Sequence, residues 1–326
     1  MKRVIIDTDP GIDDAAALFL ALASPELSVE TITTVYGNGP VEVSTQNTLR
    51  ILNAAGRLEI PVYQGAARPL LREPTPGWAS QVHGHDALGN TNFPRSAGPN
   101  PVAGRPAAVE IIERVMASAG GITVLALGRM TNLALAMSLE PELAKSVGQI
   151  IVMGGAVAVP GNASPVASAN LYEDPEAAYI LYNSGAPLVQ VGLDVCNQVE
   201  INSSQLLQIE QTGTATTELL SAATPFLQSY YRSQGLLRER DGVRYNDLSA
   251  VAYAIDPTLF RATEYPVTIE THSELARGQT VVDRRALTQD SGNDSGNKPA
   301  RVRVCLEVDA ERVTRLFTQR ICGYRP

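Results

Sequence analysis

Short β-branched runs alternate with longer stretches of helical period from the first residues of the chain onward. Val4-Ile5-Ile6 reads as a buried parallel strand, Pro10-Gly11 as a turn, and the apolar run from Ala15 to Ala23 as a helix. The unit then recurs: Val29 to Val35 reads as a strand, about Val41 to Ala55 as a helix, and Ile60 to Tyr63 as a third strand. Helix Ala107 to Ala119, strand Ile122 to Leu127, a helix from Thr131 and strand Gln149 to Met153 follow. A helix opening at Asp174-Pro175-Glu176, where Asp can cap and Pro suits the first turn, then precedes strand Pro187 to Val191. From Ser203 to Ile255 the pattern is helical, broken at the polar turn Arg240-Asp241-Gly242. Strand-like segments return at Tyr265 to Glu270, Gln279 to Asp283 and Arg301 to Glu307, and an amphipathic helix from Ala310 to Ile321 closes the chain.

This rhythm predicts an α/β fold: an open, mainly parallel (mixed) sheet with helices on both faces, Rossmann-like, with its ligand beyond the C-terminal strand ends. No repeat or linker forces a cut, so residues 1–326 read as a single domain. Three stretches lie outside the rhythm. Residues 64–104 are rich in Pro, Gly and Asn, Gly154 to Glu173 forms a second long loop, and Gln289 to Pro299 reads as a hairpin or flexible loop. Loops of that length in a compact domain are usually functional or mobile.

Composition narrows the partners. The chain is 44% hydrophobic and 18% charged, with a net charge of −8 and no Lys/Arg cluster, which argues against a nucleic acid and for a neutral or cationic small molecule. Three cysteines, Cys196, Cys305 and Cys322, lack metal-knuckle or redox spacing and read as free thiols of a reducing compartment. With no signal-peptide pattern and no apolar run of spanning length, the expectation is a cytoplasmic protein that does not engage a membrane.

The chemistry concentrates behind the first strand, where Asp7, Asp9, Asp13 and Asp14 place four carboxylates within eight residues. One or two could cap a helix, but four repel one another unless a cation or shifted pKa values relieve them. An all-oxygen site suits calcium or magnesium. Other strand ends offer Asn38, which alone reads as a turn residue between two glycines, and Gly128-Arg129-Met130-Thr131-Asn132, where Thr131 could cap the next helix. Met153-Gly154-Gly155 follows, with Asn162 and Asn170 beyond. Asp247 heads an apolar helix, as an N-cap or as a late-arriving metal ligand.

Asp7-Thr8-Asp9-Pro10-Gly11-Ile12-Asp13-Asp14 resembles the N-terminal signature of the nucleoside hydrolases, calcium-dependent enzymes that split the N-glycosidic bond of ribonucleosides. Further blocks fall in order over nearly the whole chain: Val35-Tyr36-Gly37-Asn38, His83-Gly84 with Asp86, Leu127-Gly128 with Thr131-Asn132, Val152-Met153-Gly154-Gly155, Asn170 with Asp174-Pro175-Glu176, and Asp247. The resemblance implies that Asp9, Asp14, Asp247 and the Leu127 carbonyl bind Ca2+, that Asp13 is the general base for the water the metal holds, and that Asp7 orients the cluster from behind. It also implies that Asn38, Asn162 and Asn170 hold the sugar hydroxyls, that Met153 packs on the ribose, that the chain is a homodimer or homotetramer, and that it serves nucleoside salvage.

Two departures concern the leaving base and the far end of the sugar. Many members have His directly before the metal-binding Asp, where it protonates the base; here Asn246 stands there, and Asn is no general acid at neutral pH. Ser168-Ala169 stands where Glu-Phe is common, removing a partner for the ribose 5′-hydroxyl and an apolar wall. His83, His85, Tyr230 and Tyr231 are candidate contacts to the leaving group. Trp78, the single tryptophan, lies in the long loop from which purine-specific relatives stack the base. Three readings follow: an active N-ribohydrolase, a low-turnover ribosyl-binding relative or hydrolase of a modified ribosyl compound, and a phosphatase of the haloacid-dehalogenase type. The last needs a lysine beside an aspartyl nucleophile, and beyond Lys2 only Lys145 and Lys298 are available.

Overall fold

The computed structural model describes residues 1–94, 102–118, 120–238, 241–283 and 301–326. Gln289 to Pro299, and Arg240 of the expected polar turn, lie outside the described residues. The elements are, in order, β1 (Lys2–Thr8), α1 (Ile12–Leu22), β2 (Leu27–Thr34), α2 (Val41–Ala54), β3 (Val62–Gln64), α3 (Ser80–His83), β4 (Val102–Ala103), α4 (Ala107–Ala117), β5 (Ile122–Ala126), α5 (Thr131–Leu139), α6 (Leu143–Ser146) and β6 (Gln149–Met153). Then follow α7 (Ala169–Tyr172), α8 (Pro175–Tyr182), β7 (Leu188–Val191), α9 (Leu193–Cys196), α10 (Ser203–Thr212), α11 (Ala215–Ser233), α12 (Leu248–Ile255), β8 (Phe260–Ile269), β9 (Thr280–Val282), β10 (Arg301–Val308) and α13 (Ala310–Gly323).

The strands form one mixed sheet in the order β4-β3-β2-β1-β5-β6-β7-β10-β8-β9. From β4 across to β10 neighbours run parallel; β8 and β9 close the far edge antiparallel. Strand alternation divides the core. Val4 and Ile6 of β1, Ile151 of β6 and Val189 of β7 point into one layer with α1, α11, α12 and α13, whereas Ile5, Ile150 and Leu188 point into the other with α4, α5 and α8. Burial of β1 on both sides is why its sequence reads as a continuous β-branched run.

Several expectations shift for physical reasons. Within the long loop the structure adds α3 and the two-residue edge strand β4, both too short to carry a period. The helical stretch from Ser203 splits, because Gly213 ends α10 in the left-handed conformation (φ +65°) and Thr214 caps α11 through Thr217. β8 starts at Phe260, earlier than its alternation suggests, since antiparallel pairing with β10 extends it. Among the described residues, no helix is long and apolar enough to cross a membrane. The three cysteines are unpaired.

Asn132, at the start of α5, ties three strand ends together. Its Nδ2 donates to Asp7 Oδ1 (2.8 Å) and to the Thr34 carbonyl (3.0 Å), and its Oδ1 accepts from the Ala66 amide (2.8 Å). Asn132→Ala would remove the acceptor of the Ala66 amide and one of the two donors to each of Asp7 Oδ1 and the Thr34 carbonyl, which keep Thr33 and the Gly65 amide, and is expected to cost about 1–3 kcal/mol. Urea unfolding checks this, and a loss below about 1 kcal/mol would show that the tie contributes little.

Candidate functional site

The segments that follow β1, β2, β5 and β6 bring Asp9, Asn38, Arg129 and Asn162 to one rim, where a cavity of about 630 Å³ opens. Its floor is acidic. Oxygen atoms of Asp13, Asp14 and Asp247 lie within 4.8 Å of one another, and all three side chains are buried. Asp13 and Asp14 come from the first turn of α1. Asp14 Oδ2 accepts from the Gly11 amide (2.9 Å) and Asp14 Oδ1 from the Thr8 hydroxyl (2.5 Å), so this carboxylate also closes the helix start. Asp247 occupies the N-cap position of α12 without capping it through its side chain, which joins the cluster instead.

Asp9 faces the same floor from the end of β1, but its Oδ2 accepts from the Asn38 amide (2.8 Å) and from Arg129 Nη1 (2.5 Å). The Leu127 carbonyl accepts from Asn170 Nδ2 (2.5 Å). Asp7 sits behind, fully buried, accepting from Thr33 (2.5 Å) and Asn132 through Oδ1. The glycines here are steric necessities: a Cβ on Gly37 would lie 2.1 Å from Asp9 Oδ2, and one on Gly128 would lie 2.6 Å from Asp9 Oδ1.

Burial dominates the electrostatics. It pushes Asp7 up to about 7 against the hydrogen bonds from Thr33 and Asn132. Burial also raises Asp9, Asp13, Asp14 and Asp247, and neighbouring carboxylates add to the rise in Asp9, Asp14 and Asp247. Such a cluster binds protons or a cation. The residues fit a cation: the donors are oxygens, and the buried Asp13 Oδ1 has no hydrogen-bond partner among the described residues.

His83 lies against this floor. Its Nδ1 accepts from the Ile12 amide (3.1 Å), which puts the ring proton on Nε2, 3.7 Å from Asp13 Oδ1. Burial lowers His83 to about 4, so the ring is neutral at physiological pH. His85, two residues on, is exposed and away from the cavity lining.

The walls hold the other candidates. Asn38 is more than a turn residue, since its Nδ2 donates to the Asp9 carbonyl (3.1 Å) and Asp14 Oδ2 (3.0 Å). Met153, Asn162, Ser168 and Asn170 line the cavity. Asn162 Oδ1 accepts from the Ala169 amide (2.8 Å), and Ser168 Oγ from the Gly155 amide (2.7 Å), so both also brace the loop after β6. Trp78, Tyr230, Tyr231 and Asn246 also line the cavity; Trp78 lies against Tyr36, and Asn246 Nδ2 donates to the Tyr231 hydroxyl (3.3 Å). Thr131 does not cap α5; its hydroxyl donates to Asp174 (2.7 Å), which does cap α8 as expected. Sequence reasoning missed Arg129 as a site residue. A charged side chain directly after a strand end, in an otherwise apolar block, was the available signal.

Comparison with known proteins agrees with this geometry along the whole length. Residues 4–315 match the family described as Inosine-uridine preferring nucleoside hydrolase. Probable uridine nucleosidase 2 of Arabidopsis thaliana is 39% identical over 98% of this chain and 97% of its own. The pyrimidine-specific ribonucleoside hydrolase RihA of Salmonella typhimurium is 36% identical, covering 98% of each. Among solved structures, the plant nucleoside hydrolase PpNRh1 superposes with a TM-score of 0.91 at 38% identity, over 100% of this chain and 99% of its own. A family match over residues 4–315, with relatives 36% and 39% identical over nearly their full lengths, makes the chain a member of the nucleoside hydrolase family, an enzyme that hydrolyses the N-glycosidic bond of ribonucleosides.

Proposed function

We propose that this hydrolase is calcium-dependent and that uridine is its first substrate to test. The observation that carries the reading is the buried floor of Asp13, Asp14 and Asp247, with one Asp13 oxygen unpartnered. Asp14 and Asp247, with Asp9 and the Leu127 carbonyl, would hold Ca2+, whose large and flexible oxygen shell suits a site that also takes neutral sugar hydroxyls. When bound, the ion neutralises the cluster and polarises the oxygens of water and the ribose diol.

The chain's own residues do the rest. Asp13 takes the proton of the attacking water as the water oxygen bonds to the anomeric carbon, while the carbon–nitrogen bond breaks with its electron pair on the base. The sugar passes through an oxocarbenium-like state. His83, neutral and fixed by the Ile12 amide, turns its Nε2–H toward Asp13 Oδ1 at 3.7 Å, beyond hydrogen-bond range, and so lines the floor beside the base. Asn38, Asn162 and Asn170 would position the sugar, with Met153 packed against it.

The leaving group is where this chain differs. Asn246 has no proton to give, and burial pushes the Tyr231 phenol well above its ordinary range, so Tyr231 hydrogen-bonds without ionising readily. The uridine and pyrimidine named for two relatives support uridine. Asn246 also favours a second reading, a ribosyl-binding relative or a hydrolase of a modified ribosyl compound.

Ribose release from uridine, cytidine, inosine and adenosine, with p-nitrophenyl riboside alongside, separates these readings. Uridine is expected to lead the natural substrates, and p-nitrophenyl riboside, whose leaving group needs no proton, to be cleaved faster still. Cleavage of neither would put the binding reading first. Asp13→Ala is expected to lower kcat by at least about 10²-fold while ribose still binds, in line with loss of a general base; unchanged kcat would remove Asp13 from that role.

Chelated protein should show an inverted pH dependence. With Asp7 at about 7 in the fold against 3.8 ordinarily, and Asp9, Asp13, Asp14 and Asp247 also raised, the native state binds more protons than the unfolded chain across that window. Stability therefore falls as pH rises from about 4 to about 7. His83, at about 4 against 6.5, opposes this as a single group. The Tm in chelator is expected to be higher near pH 5 than near pH 7.5 (both about), with calcium narrowing the gap. A Tm that climbs over that range in chelator would contradict the assignment.

A further inference from the structure

We propose that Arg129 is a resident counter-cation of the acidic floor, so that a divalent cation must compete with its guanidinium for Asp9; this rests on the reading that the site takes such a cation. Arg129 is 4% exposed, and its Nη1 lies 2.5 Å from Asp9 Oδ2 and 3.2 Å from Asn170 Oδ1. The space for the pair is built in, because a Cβ on Gly37 would fall 2.5 Å from Nη1 and 2.1 Å from Asp9 Oδ2. Its Nε is buried with no hydrogen-bond partner among the described residues, so the head group is held by the Asp9 and Asn170 contacts rather than by a full set of donors.

The guanidinium acts at once on two of the groups proposed to hold the cation, Asp9 and the Leu127 carbonyl. It engages Asp9 directly. Because a guanidinium only donates, it also fixes the amide of Asn170 with Oδ1 toward Arg129, which turns Nδ2 onto the Leu127 carbonyl (2.5 Å) and the Met153 carbonyl (3.0 Å). A tethered single charge thus occupies Asp9 and, through Asn170, Leu127, while Asp13, Asp14 and Asp247 remain clustered without a basic partner in hydrogen-bond range among the described residues. A free divalent ion brings twice the charge but must displace these contacts or share them. The consequence is a weakened cation affinity together with a fold that tolerates loss of the ion.

The test is calcium binding, read by calorimetry and by the calcium-induced rise in Tm, for wild type, Arg129→Met and Arg129→Lys. Each protein is produced in calcium and titrated against a competing chelator, so that no variant has to survive without the ion. Arg129→Met keeps the side-chain length and removes the charge; it is expected to bind Ca2+ at least about tenfold more tightly and to show the larger calcium-induced Tm rise. Arg129→Lys, which retains the charge, is expected to stay within about threefold of wild type. Equal or weaker binding by Arg129→Met overturns the counter-cation role and leaves the metal reading standing. Absence of calcium binding in all three overturns the metal reading and this inference with it.

Discussion

Buried negative charge is the condition around which this molecule is arranged. Asp7, Asp9, Asp13, Asp14 and Asp247 are removed from water at one end of the sheet, and burial opposes ionisation in each of them. What surrounds them is largely a set of ways to offset that cost. The start of α1 turns amide donors toward Asp13 and Asp14, threonines and Asn132 donate to the carboxylates at the rear, and Arg129 supplies a full positive charge to Asp9. Even the glycines belong to this arrangement, since Gly37 and Gly128 leave room for the Asp9 carboxylate.

The floor and the rest of the lining are built differently. The floor comes from the end of β1, which carries Asp9, and from the starts of α1 and α12, which carry Asp13, Asp14 and Asp247. Other parts of the cavity lining come from the loop carrying Trp78, from α11 with Tyr230 and Tyr231, and from the segment ahead of α12 with Asn246. Substitutions in these segments can therefore reshape the cavity while the carboxylates of the floor stay as they are.

Much of this was readable in the chain, for identifiable reasons. The strand–turn–helix of residues 4–22 is local, so β-branching, Pro10-Gly11 and the four acids specify both element and site. Asp247 was ambiguous because its partners are distant in sequence; only folding distinguishes a cap from a ligand. His83 and His85 are indistinguishable as residue types two positions apart. The fold separates them because α3 ends at Gly84 (φ +82°), turning the chain so that one ring is buried and the other faces solvent. Arg129 was ambiguous for the same reason as Asp247: its place after a strand end was visible, but its partner Asp9 lies 120 residues earlier, and no local period marks such a pair.

The order in which the cluster is assembled has a consequence for synthesis. Four of its carboxylates lie within the first 14 residues, whereas Asp247 and the sheet's β10, which sits between β7 and β8, are made in the last third of the chain. A chain emerging from the ribosome therefore carries the acids long before the floor can close around them. Arg129 emerges well ahead of Asp247, so the first half of the chain already contains a positive charge able to meet Asp9. The early strands can pair around a partly neutralised core and wait for the remainder, with the final carboxylate arriving as the sheet is completed.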